Sequence, residues 1–371
     1  MVHCETKILI LLLALLAESV SAAPQISAGD FQNLSLSLSE PGGYFDTDNL
    51  ISNEASYQHI IPAVRRHVPK GAAYIGVGPD QNFTYILHTL PSVAFILDIR
   101  EDNRLLMLYY KVLFEESPTR WDFIGKLLGR ATSGIAPPAN AELPELLDQI
   151  QQVPTDIDFF EEQFQRNWTV LEEKAGRLLK SGDKTKLYRM ARTFFEENLR
   201  LKFRSFGRPP RPHYPSLKDL LLETDRTGLR RHYLNREEDY QFLRKLQMDN
   251  RIIPVVGDIA GPWAMERIGQ FLRRRELKLG AFYLSNVEFY LFNSGRFARF
   301  AQNYQQLPLH SEGLILRSYF SYGFRHPESV PGYSVASLVQ KNKDFLRDLR
   351  IEPYQNYWEM ILRGYLPLTT D

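Results

Sequence analysis

Short apolar segments that end in glycine or a polar residue, alternating with helical segments, are the feature that most restricts the fold of this chain. Ala72–Val77 and Val93–Leu97 predict two buried strands, and between them Asn82–Leu90 predicts a short helix that Pro91 ends. Such alternation is typical of α/β proteins with a parallel sheet. Three further strands are predicted at Ile252–Val256, Gly280–Leu284 and Gly313–Arg317. Pro254 fits poorly in the middle of a sheet because it cannot donate a ladder hydrogen bond.

The region 131–250 interrupts this alternation, because no segment in it is typical of a strand. Apolar residues at steps of three and four from Phe160 to Leu178 predict an amphipathic helix instead. Since strands resume after this region, we interpret it as a helical insertion and not as a separate domain. We therefore expect residues 23–371 to form one doubly wound, mostly parallel Rossmann-like α/β domain. Before its first helix, near Ser52, we expect a polar lead over 23–40, and from about 334 to 371 an aromatic helical tail.

The first 22 residues have the pattern of a cleavable signal peptide. An unbroken apolar run, Ile8–Ala17, is followed by small residues, with Val20 and Ala22 placed as a cleavage signature. The run is too short to span a bilayer, which takes about 20 apolar residues. The alternative is a buried N-terminal helix. The pattern favours export, to a periplasm or to the medium, of a protein with no membrane span.

The composition argues against nucleic-acid binding, thiol chemistry and a metal site. The net charge of +1 gives no long-range attraction to nucleic acid. The only cysteine, Cys4, lies in the predicted signal peptide, so the mature chain has no disulfide and no cysteine nucleophile. The histidines are scattered singly, and we predict no metal site.

Polar and glycine residues follow several of the predicted strands. In a parallel sheet, ligands bind beyond the carboxyl ends of the strands, where the strand order reverses. Gly76 and Gly78 allow close approach of a ligand to the backbone, and Asp98 stands twenty residues after Gly78, a separation typical of an acid that binds ribose. These residues predict a nucleoside-type ligand. The alternative is that the glycines and Asp98 only build tight turns.

Two further polar residues end later strands. Asp258 follows the third strand and Asn286 the fourth, and either can instead cap the helix that comes next. A hydrolase that uses Asp98 and Asp258 as an acid–base pair has no motif to support it.

Several motifs resemble a family of uncharacterised bacterial proteins described as similar in fold to S-adenosylmethionine-dependent methyltransferases. The resemblance spans roughly residues 45–320, without much of the helical insertion. Its motifs are Ser52-Asn-Glu54, Tyr74-Ile-Gly-Val-Gly-Pro-Asp-Gln-Asn-Phe-Thr-Tyr85, Leu97-Asp-Ile-Arg100, Val256-Gly-Asp-Ile-Ala-Gly-Pro262 and Phe282-Tyr-Leu-Ser-Asn-Val-Glu288.

The resemblance implies a site for S-adenosylmethionine. By position, Gly76 and Gly78 match the loop that meets the methionine part of the cofactor, and Asp98 matches the ribose acid. Asp258 falls near the adenine-side loop, and Asn286 falls where such enzymes orient the substrate nucleophile. The loop departs from the usual pattern, because Tyr74 replaces an acidic residue and Asp80 replaces a third glycine.

The next helix begins beside this loop. Asn82 lies in its first turn, and we expect it to face the same cleft as Gly78.

The resulting expectation is a methyltransferase-like protein that binds a nucleoside-type ligand, with methyl transfer to an unidentified acceptor as the implied reaction. The alternative is a non-catalytic exported protein that uses a degenerate cleft to bind a small ligand or a partner. Compartment favours this alternative, because S-adenosylmethionine is made in the cytosol.

Overall fold

The computed structural model describes residues 25–132, 134–135, 141–321 and 323–368. The predicted signal peptide lies outside these residues, and export stays a prediction.

Six strands form one sheet in the order β3-β2-β1-β4-β5-β6. The first five are mutually parallel, and β6 runs antiparallel to β5. With its flanking helices, the chain is an α/β protein with a mostly parallel sheet, compatible with a Rossmann-like fold. The strands are β1 (Ala73–Gly76), β2 (Ala94–Asp98), β3 (Ile252–Val256), β4 (Leu279–Tyr283), β5 (Leu309–Phe320) and β6 (Val335–Lys341).

Helices occupy the intervals between successive strands from β1 to β5, and the interval between β2 and β3, where the helical insertion is predicted, contains more of them than any other. A 3₁₀ helix over Ala55–Ile60 precedes α2. The α-helices are α1 (Ala28–Leu38), α2 (Ile61–His67), α3 (Gln81–Thr89), α4 (Glu101–Glu116), α5 (Arg120–Leu127), α6 (Leu143–Gln152), α7 (Ile157–Ala175), α8 (Asp183–Glu197), α9 (Leu217–Leu222), α10 (Glu237–Met248), α11 (Ala264–Arg274), α12 (Val287–Asn293), α13 (Phe297–Gln305), α14 (Asn342–Ile351) and α15 (Tyr357–Leu362).

The five predicted strands are all present, and the fifth is longer than predicted. Pro254 is accommodated because β3 lies at the edge of the sheet, where its missing N–H breaks no ladder between two strands. Helix α1 covers this edge strand, and the Ser35 hydroxyl donates to the Pro254 carbonyl at 2.5 Å. The position of β3 at the edge of the sheet thus explains why this strand tolerates a proline.

Two predictions about the ends of the domain are wrong. The polar lead is in fact helical over Ala28–Leu38, capped by the Ser27 hydroxyl, with Phe31 and Leu38 buried. The tail does not begin as helix, because Val335–Lys341 pairs with β5 as strand β6, and helices α14 and α15 only follow it. The short apolar segment Val335–Val339 buries both faces of β6, so it lacks the alternation that marks a half-exposed strand.

The sheet order places the reversal point between β1 and β4, which are neighbours although far apart in the chain. The loops after β1 and β4 therefore diverge to opposite sides, and a crevice is expected between them. The predicted site residues lie at this carboxyl edge or beside it.

Candidate functional site

The loop after β1 is closed by its own side chains. Asn82 is fully buried, and its amide donates to the carbonyls of Val77 at 2.9 Å and Pro79 at 2.7 Å. Its Oδ1 accepts the Tyr74 hydroxyl at 2.8 Å. A Cβ added to Gly76 would lie 1.9 Å from Asn82 Oδ1, so the space beside Gly76 is filled by the chain itself.

Gly78 and Asp80 complete this loop. Gly78 has φ of +83°, a conformation that favours glycine, so the turn alone accounts for the residue. Asp80 is buried, and burial raises its pKa to about 7, although backbone amides and the Tyr233 hydroxyl lower it in part. A neutral Asp80 relieves the charge conflict that this position would otherwise create beside a carboxylate-bearing ligand.

Asp98 at the tip of β2 is held by a neighbouring arginine. Arg100 donates from Nε and Nη2 to the two Asp98 carboxylate oxygens at 3.1 and 3.0 Å, and its backbone N–H donates to Oδ1 at 2.9 Å. Arg100 Nη1 donates in addition to the carbonyl of Asp48 at 3.0 Å. The carboxylate predicted to bind ribose is therefore already engaged in a buried bidentate ion pair.

Asp258 after β3 does not cap the following helix. Its Oδ1 accepts the Ala260 N–H at 2.8 Å, and its Oδ2 pairs with Arg296 at 2.6 Å. The cap comes from Glu40, whose buried carboxylate accepts the N–H groups of Trp263 and Ala264 at the start of α11, each at 3.0 Å. An internal carboxylate thus occupies the helix N-terminus where an anionic ligand group would otherwise bind.

Residues at the end of β4 bind the buried carboxylate of Glu54, which precedes β1 in the chain and which the sequence analysis did not single out. Glu54 is 2% exposed and accepts the Tyr283 hydroxyl at 2.7 Å and the Gln81 amide at 2.9 Å. The hydroxyls of Ser285 and Ser318 donate to it as well. Four neutral donors satisfy this charge, and together they tie the loops after β1 and β4 to β5.

Asn286 lies beside that turn. It occupies the N-cap position of α12, but its side chain does not cap the helix; its Oδ1 accepts the Ser285 hydroxyl at 3.4 Å. Ser285 itself has φ of +52°, a strained backbone conformation for serine.

The predicted residues therefore do not meet in one open site. Gly76, Gly78, Asp80 and Asn82 form one compact loop, whereas Asp98, Asp258 and Asn286 each belong to a different set of contacts.

An open groove of about 300 Å³ lies beyond β2, between residues 42–47 and the start of α4. Tyr44 and Phe206 line one side with nearly parallel rings, 6.5 Å apart at an interplanar angle of 29°. Both rings are unusually exposed for apolar groups, at 76% and 51%. Glu101 and Asp102 from the first turn of α4 also line the groove, together with Arg100.

The two groove carboxylates have exposed partners. Glu101 pairs with Lys180, whose hydrogen bond lowers the pKa of Glu101, and Asp102 pairs with Lys186 at 3.3 Å. Exposed ion pairs of this kind contribute little to stability, so a ligand can replace them at small cost in free energy.

A second cleft, of about 360 Å³, is lined by Gly323, Phe324, Trp358 and Leu362. This lining offers no titratable group, which makes it a weaker candidate for a specific polar ligand.

Residues 49–365 match the family model described as Domain of unknown function (DUF7790). The chain belongs to this family. No curated protein matches the sequence. The family description assigns no activity, so the function rests on the site.

Among the described residues, no group of three or more histidine, cysteine, aspartate or glutamate side chains is placed to hold a metal ion. None of the described helices has the length and apolar character needed to cross a bilayer.

The sequence analysis missed Glu40, Glu54, Arg100 and the groove acids as candidates. Glu54 and Arg100 lie in motifs that carry the family resemblance, Ser52-Asn-Glu54 and Leu97-Asp-Ile-Arg100. The presence of a charged residue in each of these motifs, close in the chain to a predicted buried strand, was the signal that could have identified Glu54 and Arg100 as candidates.

Proposed function

We propose that this protein binds a nucleoside-type ligand in the groove between residues 42–47 and α4, without transferring a methyl group. The observation that carries the proposal is the pairing of two exposed aromatic rings with two carboxylates in one groove at the carboxyl edge of the sheet.

The aromatic side of the groove suits a nucleobase. Bases stack on aromatic side chains, with about 1–3 kcal/mol of binding free energy for each base stacked. Tyr44 and Phe206 present an extended ring surface that solvent otherwise contacts. A ligand that covers these rings gains both stacking and burial of apolar surface.

The acidic side suits the hydroxyls of a sugar. In Rossmann-like folds an acid about twenty residues after the glycine loop accepts hydrogen bonds from ribose. Asp98 has that spacing but is paired with Arg100, whereas Glu101 and Asp102 lie just beyond it and face the groove. We assign the role of ribose acceptor to these two residues.

The residues present do not fit S-adenosylmethionine in the position that the family resemblance implies. Asn82 fills the space beside Gly76, Arg100 occupies Asp98, and Glu40 occupies the N-terminus of α11. We therefore derive no methyl-transfer step and favour the binding function, with export of the mature protein as part of the proposal.

Calorimetry tests this function with adenosine, S-adenosylmethionine and S-adenosylhomocysteine as probes. We expect the three probes to bind with similar affinity, because the groove contacts only the nucleoside they share. Phe206→Ala and the double change Glu101→Gln with Asp102→Asn should each weaken binding about tenfold, as expected for the loss of a stacking or hydrogen-bonding partner. Ile351→Ala, which changes an exposed residue of α14, is the matched control.

Three results would contradict the proposal. Absence of binding heat with all three probes would remove the nucleoside ligand. Affinity that survives Phe206→Ala but is lost in Gly78→Val would move the ligand to the glycine loop, and conversion of S-adenosylmethionine to S-adenosylhomocysteine would restore the methyltransferase alternative.

A further inference from the structure

Residues 41–48, which we call the flap, cross the carboxyl ends of β2 and β1 between two buried anchors. On one side Glu40 is fixed at the start of α11. On the other side Leu50 and Ile51 are buried in the core, and Glu54 is held by its four donors. Between these anchors, residues 41–44 are exposed to solvent.

The ends of the flap are suited to bending. Gly42 and Gly43 are consecutive, and Asn49 at the other end has φ of +48°. The flap also lies very close to the structure below it, because a Cβ added to Gly43 would come 2.7 Å from the Ile99 side chain. Consecutive glycines allow both this close approach and a change of backbone direction.

The contacts that hold the outer side of the flap are exposed. Asp46 pairs with Arg208, and Tyr44 stacks on Phe206, both partners coming from the proline-rich segment after α8. Exposed ion pairs contribute little to stability, so these contacts hold the flap only weakly.

The inner side rests on Arg100. Its Nη1 donates to the carbonyls of Thr47 at 3.4 Å and Asp48 at 3.0 Å, while its other nitrogens bind Asp98. Asn49 lies above Gly78, with its Nδ2 3.9 Å from the position of an added Cβ. The flap and the adjoining Asn49 thus cover Asp98, Arg100 and Gly78, the residues nearest to the crevice that the fold predicts.

We infer that the flap is a lid, which opens while Glu40 and Glu54 stay in place and joins the covered Asp98–Arg100 pair and Gly78 to the groove as one binding site. Opening breaks the two hydrogen bonds from Arg100, the exposed Asp46–Arg208 pair and the ring contacts of Tyr44 and Phe45. It also breaks the amide bonds of Gly43 to Ile99 and of Asp48 to Arg204, and the Arg204 amide bond to the Asp48 carboxylate. Local opening of this kind requires less free energy than unfolding of the core. The inference rests on the proposed function only for the nature of the ligand.

Thiol labelling tests the lid without any ligand. In the full chain with Cys4→Ser, the change Thr47→Cys places a single thiol on the buried inner side of the flap, and Ser337→Cys places one in the buried strand β6 as reference. We expect the thiol at position 47 to react at least tenfold faster than the one at 337. Arg208→Gln should accelerate the first several-fold further. Arg192→Gln, which removes a partly exposed ion pair on α8 far from the flap in the chain, should change neither rate.

Hydrogen exchange supplies a second measurement that needs no cysteine. The amides of Gly43 and Asp48, which donate to Ile99 and Arg204, should exchange faster than the β2 amide of Ala94 and should respond to Arg208→Gln.

Equal rates at positions 47 and 337, with amides 43 and 48 as protected as 94, would overturn the lid. Binding of the nucleoside probes in calorimetry would be unaffected by that result. Fast labelling at position 47 without any probe binding would instead keep the lid and remove the proposed function.

Discussion

Single side chains at the carboxyl edge do different work from the work their positions suggest. Asp98, Asn82 and Glu40 have the chemistry of ligand-binding groups, yet each bonds to another part of the chain. Asp80 differs from Asp98 in one respect. Its buried carboxyl group accepts hydrogen bonds from backbone amides and the Tyr233 hydroxyl, but it has no cationic partner among the described residues. Its protonation therefore depends on the pH at which the protein is studied.

Asp80 should make the stability of the protein depend on pH. Burial raises its pKa from 3.8 to about 7, so the folded state binds the proton more tightly than the unfolded state. This contribution is complete below pH 4 and is lost as pH rises to 7, by roughly 4 kcal/mol at 1.36 kcal/mol for each pKa unit. Asp80→Asn should abolish the loss. Urea unfolding of both proteins at pH 5 and pH 8 measures it.

The comparison with the variant is needed because buried histidines act in the opposite direction. Burial lowers the pKa of His59 and His88 to about 4 and that of His232 to about 3, so they destabilise the fold as pH falls below 6.5. Both proteins share this effect. Unfolding free energies that stay a constant distance apart from pH 5 to 8 would show that Asp80 does not titrate in this range.

At the scale of helices and strands, the three Asn-x-Ser/Thr sequons lie in very different settings. Asn33 is exposed on α1, whereas Asn82 in α3 and Asn167 in α7 are buried. Asn82 also closes the glycine loop through three hydrogen bonds, two of them donated by its amide nitrogen, and a glycan on that nitrogen would break at least one of these two.

Expression in a host that glycosylates should therefore modify Asn33 alone. The transferase needs an accessible acceptor segment, and a bulky sugar on a buried amide is incompatible with this packing. Peptide mapping by mass spectrometry gives the occupancy of each sequon. A stably folded product with full occupancy at Asn82 would mean that the loop after β1 is open, contrary to the structure.

The elements that could be predicted from the sequence are those whose signal is local. β1 to β5 were recognisable because each apolar segment is short and ends in a glycine or polar residue. Helix α1 and strand β6 were missed because the buried side of α1 includes the polar residues Gln32 and Ser35, and β6 is buried on both faces. The ends of β1 to β4 were predicted to within one residue, but the flap over them depends on contacts such as Arg100 with Asp48, 52 residues apart, which no local pattern records.

At the scale of the whole molecule, the described residues share one hydrophobic core. It extends from Ile26 to Ile361 and includes residues of the insertion helices. The edge strand β3 is covered by α1, which starts a few residues after the predicted cleavage site. Cleavage after residue 22 would therefore leave α1, which covers the edge strand, in the mature chain.

We predict that protein recovered from its native host begins at Ala23. The small residues Val20 and Ala22 mark the cleavage site, and the preceding apolar run is too short to remain as a membrane anchor. Intact mass spectrometry of the protein and of the cell fractions decides this. An uncleaved form in the cytosol would contradict export, and would also place the protein where S-adenosylmethionine is made.

The contact between Glu40 and the start of α11 has a consequence for the order in which the chain can fold during synthesis. Glu40 is synthesised early, but the N–H groups that donate to its carboxylate belong to Trp263 and Ala264. Ala264 follows Glu40 by 224 residues. At about 5–20 residues per second, the two halves of the contact are separated by about 10 to 45 seconds of translation. Glu54 waits even longer for Ser318. Since contacts between distant residues also form slowly, the nascent chain stays unfolded for much of its synthesis. If the protein is exported, as proposed, that delay leaves a polypeptide that a translocation channel can still thread.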